Sequence, residues 1–160
     1  MQRILVICVG KLKERFYIEA AAEYQKRLSR FCKLEVVELP EVRLSDSPSP
    51  AQIEQALKKE AEAIRGKLPP ASSIVALCIE GQTRSSEELA QLLADWAQRR
   101  EKCLAFVIGS SFGLHPSIKS EAWVRLSMSP MTFPHHLARV MLLEQIYRGF
   151  QINEGSKYHK

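Results

Sequence analysis

Apolar positions along this 160-residue chain repeat in two alternating periods. Residues 4–9 form an unbroken apolar run rich in β-branched side chains, the pattern of a strand buried on both faces. Tyr17, Ala20, Ala21, Tyr24, Leu28 and Phe31 then recur at helical spacing and mark one face of an amphipathic helix. Residues 34–39 read as a second strand, closed by Pro40. The polar, turn-forming stretch 41–50 (EVRLSDSPSP) predicts a mobile loop. Ser49 and Gln52 stand at capping-box spacing with Pro50 at the first helical position, which predicts a helix running to about Arg65 and stopping at Gly66. Residues 73–79 are a third strand. A second capping box, Ser85 with Glu88, precedes Leu89, Leu92, Leu93 and Trp96. Cys103–Ile108 and residues 124–128 are the fourth and fifth strands. A final helix is expected over 134–150, with Leu137, Val140, Met141 and Tyr147 on one face. This alternation predicts an α/β fold, a mainly parallel sheet with helices on both faces, in a single domain spanning 1–160.

Composition narrows the classes. No run of about 18 apolar residues exists, so no membrane-spanning helix is expected. The apolar N-terminus is short and leads into a charged segment, so it reads as a first strand and not a signal peptide, and a cytoplasmic protein is expected. Cys8, Cys32, Cys78 and Cys103 are widely separated and read as small core side chains, not as metal ligands or disulfides. The formal charge of +5 permits a nucleic-acid partner without demanding one. Lys11, Lys13, Arg15, Lys26, Arg27, Arg30 and Lys33 concentrate basic charge early in the chain, either as a solvated helix face or as a phosphate-facing surface.

In a parallel sheet, ligands bind beyond the carboxyl ends of the strands. Three segments are placed there: residues 77–82, residues 108–114 and residues 127–134. Gly109 and Gly113 permit a tight turn and close backbone approach, without the spacing of a dinucleotide or P-loop motif; a plain strand-to-helix turn is the alternative. The segment Ser129-Pro130-Met131-Thr132-Phe133-Pro134 fixes main-chain N–H and C=O groups that would suit an adenine edge, or it is an irregular connection. His135 and His136 point about 100° apart on a helix and make a poor metal chelate, so no metal is expected. The tail is unusually polar: Glu144 and Arg148 at i, i+4 form either a surface ion pair or an arginine held for a phosphate or base, and Tyr158 and His159 follow.

Taken in order, the segments 9–14, 23–28, 106–109, Gly113-Leu114, 131–135, 144–148 and Tyr158-His159-Lys160 resemble the SPOUT class of RNA methyltransferases. More closely, the whole chain resembles the family called ribosomal RNA large subunit methyltransferase H. The resemblance implies a deep C-terminal trefoil knot, a homodimer, and S-adenosyl-L-methionine (SAM) as cofactor. It implies cofactor contacts from Leu77, Gly109, Met128, Ser129, Pro130, Met131, Thr132 and Phe133. It implies methylation of N3 of a pseudouridine in large-subunit (23S, helix 69 loop) ribosomal RNA on the assembled ribosome. On that reading His159 is a candidate base, Arg148 the cation stabilising an imide anion, Glu144 its orienting partner, and Tyr158 a stacking or hydrogen-bonding group, all lying near the cofactor loop. One position departs from the family pattern: Ser110 stands where a second glycine is usual, which requires that its φ stay negative.

Overall fold

The computed structural model describes residues 1–160. Five strands, β1 (Gln2–Val9), β2 (Cys32–Leu39), β3 (Ser72–Thr83), β4 (Cys103–Ile108) and β5 (Val124–Ser127), form one all-parallel sheet in the order β2-β1-β4-β3-β5. Five helices connect and follow them: α1 (Arg15–Leu28), α2 (Pro50–Lys67), α3 (Ser86–Ala97), α4 (Pro116–Glu121) and α5 (His135–Asn153). No helix is long and apolar enough to cross a membrane.

Side chains alternate across each strand, so the two faces of the sheet build two cores. Ile4, Val6 and Cys8 of β1 with Leu104, Phe106 and Ile108 of β4 pack under α1, α3 and α5. Leu5, Ile7 and Val9 with Cys103, Ala105 and Val107 pack under α2 and α4. The residues between are fully buried on both sides, which explains the unbroken apolar runs. All four cysteines lie in strands as free thiols; Cys8, Cys32 and Cys103 are buried, and burial pushes the Cys8 and Cys32 thiols up to about 11.

Both expected capping boxes form: Ser49 and Ser85 each accept the N–H of the residue three on, and Gln52 and Glu88 reach back to the cap N–H groups. The chain differs from expectation at several places, each with a physical reason. Helix α2 runs through Gly66 to Lys67; Leu68, restricted to extended backbone by the following Pro69, ends it. Helix α5 continues past Phe150 to Asn153, where Gly155 (φ +69°) closes a Schellman motif: Ser156 N–H donates to Gln151 C=O and Gly155 N–H to Ile152 C=O. The fully buried hydrophobics of α5 are Leu142, Leu143 and Ile146, while Leu137, Val140, Met141 and Tyr147 are only half-buried. Loop 41–49 is pinned at its start, because Val42 N–H donates to Glu60 (3.0 Å). Phe31 lies beyond α1 and stacks on Phe150 at 5.6 Å. The short helix α4, capped by His115, carries too few residues to display a period and was not foreseen.

Strand β3 is also longer than its apolar run suggested. It pairs with β5 through Leu77, shifts register, and pairs again at Gln82 and Thr83. Residues 78–81 bulge out between the two paired stretches. Gly81 makes this crossing feasible, since a Cβ there would stand 2.8 Å from the main-chain carbon and oxygen of Arg125.

Candidate functional site

The carboxyl ends of β3, β4 and β5 open into a cavity of ≈ 860 Å³, within the size range of small-molecule sites. Its walls come from the three segments singled out in the sequence. Leu77, Gly109, Met128, Ser129, Met131, Thr132 and Phe133 all line it; Pro130 does not. Leu77, Ile108, Leu114 and Leu126 give it apolar walls. The loop after β5 is held by its own hydroxyls: Ser127 Oγ donates to Ser129 C=O, and Met131 N–H donates to Ser129 Oγ. The N–H groups of Thr132 and Phe133 have no partner within the chain, which leaves them available to a ligand.

Gly109 fits its position for steric reasons: a Cβ would sit 2.3 Å from Gly113 O, so the loop 109–113 can fold back on β4 only without one. Gly113 itself turns with φ +84°, and its N–H donates to Ser110 C=O. Ser110 keeps a negative φ, as the sequence required, and its hydroxyl donates to Glu60 at 2.8 Å. Glu60 is buried on α2 and accepts from both Ser110 and Val42 N–H. Burial pushes its carboxyl up against the opposing pull of those two hydrogen bonds. Glu41 on the same loop accepts from Ser111 Oγ at 3.3 Å. The substitution that departs from the family pattern therefore ties the cavity loop to α2.

Lys119 on α4, with Glu80, and His135 at the start of α5 also line the cavity. Sequence reasoning passed over Lys119, because nothing local distinguishes it from the other exposed-looking lysines. The His135 Nε2 is buried with no partner, facing Gly10, and burial followed by the neighbouring His136 pushes its imidazole down. Arg139, also unforeseen, is almost fully buried: it donates to Glu38 (2.7 Å) and to Gly10 C=O (3.0 Å), fastening α5 to β1 and to the end of β2. Burial pushes the Glu38 carboxyl up, but hydrogen bonds from Arg139 and Leu12 N–H outweigh it and hold the group below its ordinary value.

The four candidate catalytic residues gather elsewhere, at the far end of α5. Glu144 Oε1 accepts from Arg148 Nε (2.9 Å), Arg148 Nη2 (2.6 Å) and Tyr158 Oη (3.2 Å). The Arg148 guanidinium lies 4.8 Å from the Tyr158 ring centre and donates to His159 Nδ1 at 3.2 Å. Arginine can only donate, so His159 Nδ1 accepts and its Nε2–H faces Glu87 at 2.8 Å. The hydrogen bonds that Arg148 donates to Glu144 push its guanidinium further above its ordinary value, and burial followed by the Glu144 charge pushes the Tyr158 hydroxyl up. None of these side chains lines the cavity of its own chain. Within one chain the tail does not reach the cofactor loop: from His135 to Arg148 the helix climbs roughly 20 Å.

The cavity lies at the carboxyl end of a parallel sheet, with main chain closely approached at Gly81 and Gly109. Residues 2–159 match the family model described as "Predicted SPOUT methyltransferase", and the chain belongs to that family. Within it, the chain is 45% identical over 158 residues to a protein of Streptococcus equi subsp. zooepidemicus (strain MGCS10565), covering 99% of both chains. It is 46% identical, with the same coverage, to one from Streptococcus suis (strain 05ZYH33), and 44% identical to one from Lactobacillus delbrueckii subsp. bulgaricus (strain ATCC BAA-365 / Lb-18) over 98% of this chain and 99% of that protein. All three relatives carry the name ribosomal RNA large subunit methyltransferase H.

Proposed function

We propose that this protein is a SAM-dependent methyltransferase that acts as a homodimer in the cytoplasm on N3 of a pseudouridine in the helix 69 loop of 23S ribosomal RNA, with the assembled ribosome as substrate. The observation that carries this reading is the cavity itself. Three strand-end segments that resembled the family in the sequence converge on one space, and the N–H groups of Thr132 and Phe133, residues that line it, have no partner within the chain and could take an adenine-type ligand. Likeness over the whole length to relatives named for ribosomal RNA methylation supports the substrate class. The reading includes a trefoil knot, as the family resemblance implies; the close approach of Gly81 to the Arg125 backbone is compatible with it.

The cavity fits the cofactor in size, in its apolar walls, and in carrying one cationic and one anionic side chain. SAM bound there supplies an electrophilic methyl group on a sulfonium. The residues of the chain then have two tasks: to align the acceptor and to help N3 lose its proton. Arg148, held by Glu144, is the cation for the developing imide anion, and Tyr158 offers a ring face for the base. His159 is the base through Nδ1, which must first release the Arg148 N–H it accepts. Because these groups stand away from their own cavity, a second copy of the chain brings them to it. The half-buried Leu137 and Met141 of α5 and the exposed Phe112 and Met131 at the cavity are the apolar surface for that contact. Arg27 near the end of α1 lies over Tyr147, Arg30 just beyond it lies over Phe31, and these with Lys26 are the candidate phosphate contacts.

Methyl transfer from labelled SAM to whole ribosomes, isolated subunits and tRNA, using ribosomes from cells lacking this protein, tests the reading. The expected product is 3-methylpseudouridine on whole ribosomes alone. Transfer to tRNA instead would overturn the substrate, and absence of SAM binding would overturn the activity. Mixing Arg148→Gln with Thr132→Trp, which fills the cavity mouth, tests the dimer: mixed dimers regain one working site if the tail serves the partner's cavity, and none if it serves its own.

A further inference from the structure

Of the residues lining the cavity, only Glu80 and Lys119 are Asp, Glu, Lys or Arg. They come from separate elements, Glu80 from the bulge of β3 and Lys119 from α4, and pair directly across the wall. Three features position the pair. The bulge at 78–81 turns Glu80 out of the β3–β5 ladder. Helix α4 is anchored through His115 and Ser117, which bind Glu54 and Arg65 of α2. Arg125 Nε donates to the Lys119 carbonyl at 2.9 Å and fixes the backbone beneath the lysine. The Lys119 side chain is 23% exposed and that of Glu80 is 55% exposed, so the lysine is the more enclosed partner. The hydrogen bond from Lys119 is the main reason the Glu80 carboxyl lies below its ordinary value.

Resting on the cofactor reading above, we infer that the Lys119–Glu80 pair is the recognition element for the amino-acid end of the cofactor, Lys119 for the α-carboxylate and Glu80 for the α-ammonium. A zwitterion laid against an ion pair of opposite sense satisfies four charges at once. The pair is open enough to water that its own attraction is weak and readily exchanged for the ligand's charges. The other cavity walls are apolar or uncharged and suit the adenosine and thioether portion, which carries no such charges. The pair therefore selects for an intact amino-acid group without contributing to adenosine binding.

Calorimetric titration with S-adenosylhomocysteine and with 5′-methylthioadenosine, which lacks the amino-acid group, separates the two parts. Lys119→Gln is expected to weaken S-adenosylhomocysteine about tenfold, the loss of one charged hydrogen bond, and to leave methylthioadenosine within about twofold. Lys119→Arg, which keeps the charge, is expected to recover most of that loss. Glu80→Gln should act in the same sense with a smaller factor, since Glu80 is the more exposed. Equal weakening of both ligands in Lys119→Gln, or unchanged affinity for S-adenosylhomocysteine, would overturn the assignment while leaving the cofactor reading intact. Failure of the unaltered protein to bind either ligand would overturn both. Thermal unfolding of each variant, expected to match the parent, excludes misfolding as the cause of any loss.

Discussion

The cavity and the tail cluster are built from different materials. The cavity loops are shaped largely by main chain: by the turn at Gly109 and Gly113 and by the hydroxyls of Ser127 and Ser129, and the N–H groups of Thr132 and Phe133, which have no partner within the chain, are there regardless of their side chains. The tail cluster is mostly side chain: one carboxylate, Glu144, organises an arginine and a tyrosine, and a histidine joins through the arginine. A site made of backbone tolerates side-chain change but not an added Cβ at a close backbone approach. A site made of side chains depends on single atoms and contributes little to holding the fold.

Substitutions that separate the two kinds of site follow, from the greatest effect downward. Gly109→Ala drives a Cβ into Gly113 O and should cost ~3 kcal/mol. Thermal unfolding and SAM binding should both decline, and retention of either at parental level would remove the steric argument. Arg148→Gln should lower single-turnover methyl transfer by about 10² to 10³ through loss of anion stabilisation, and His159→Gln by about 10². In both, SAM affinity should stay within about twofold; a matching fall in affinity would show that the two regions are not separable. Glu60→Gln should shift stability by about 1 kcal/mol with a definite pH sense. Because burial raises the folded carboxyl above its unfolded value, the parent is relatively favoured below the ordinary carboxylate range and loses ground as pH rises through the raised value. The glutamine variant removes that loss, so urea unfolding at acidic and neutral pH should show the variant gaining on the parent as pH rises. The smallest effect is a control: Gly66→Ala, in helix α2 with no atom near its would-be Cβ, should stabilise by about 0.5 to 1 kcal/mol. Gain at Gly66 and loss at Gly109 would show that it is the close backbone approach, not glycine as such, that matters.

The sequence determined a great deal by itself. Unbroken apolar runs and period-3.6 patterns located all five strands and four of the five helices, because a sheet buried on both faces must be apolar throughout and its covering helices must be amphipathic. The capping boxes at Ser49 and Ser85 were legible because an N-cap is a local arrangement of adjacent groups. That residues 77–82, 108–114 and 127–134 would share one space was legible because strand ends in a parallel sheet converge. What remained for the tertiary structure were relations between distant segments. The second pairing of β3 with β5 across the 78–81 bulge, the burial of Arg139 against Glu38 and the hydrogen bond from Ser110 to Glu60 each join residues far apart in the chain. The end-to-end separation of cavity and tail along α5 belongs with them. Periodicity reports which face of an element is buried, but against what it is buried, and which charged side chain it meets there, is fixed only when the elements pack.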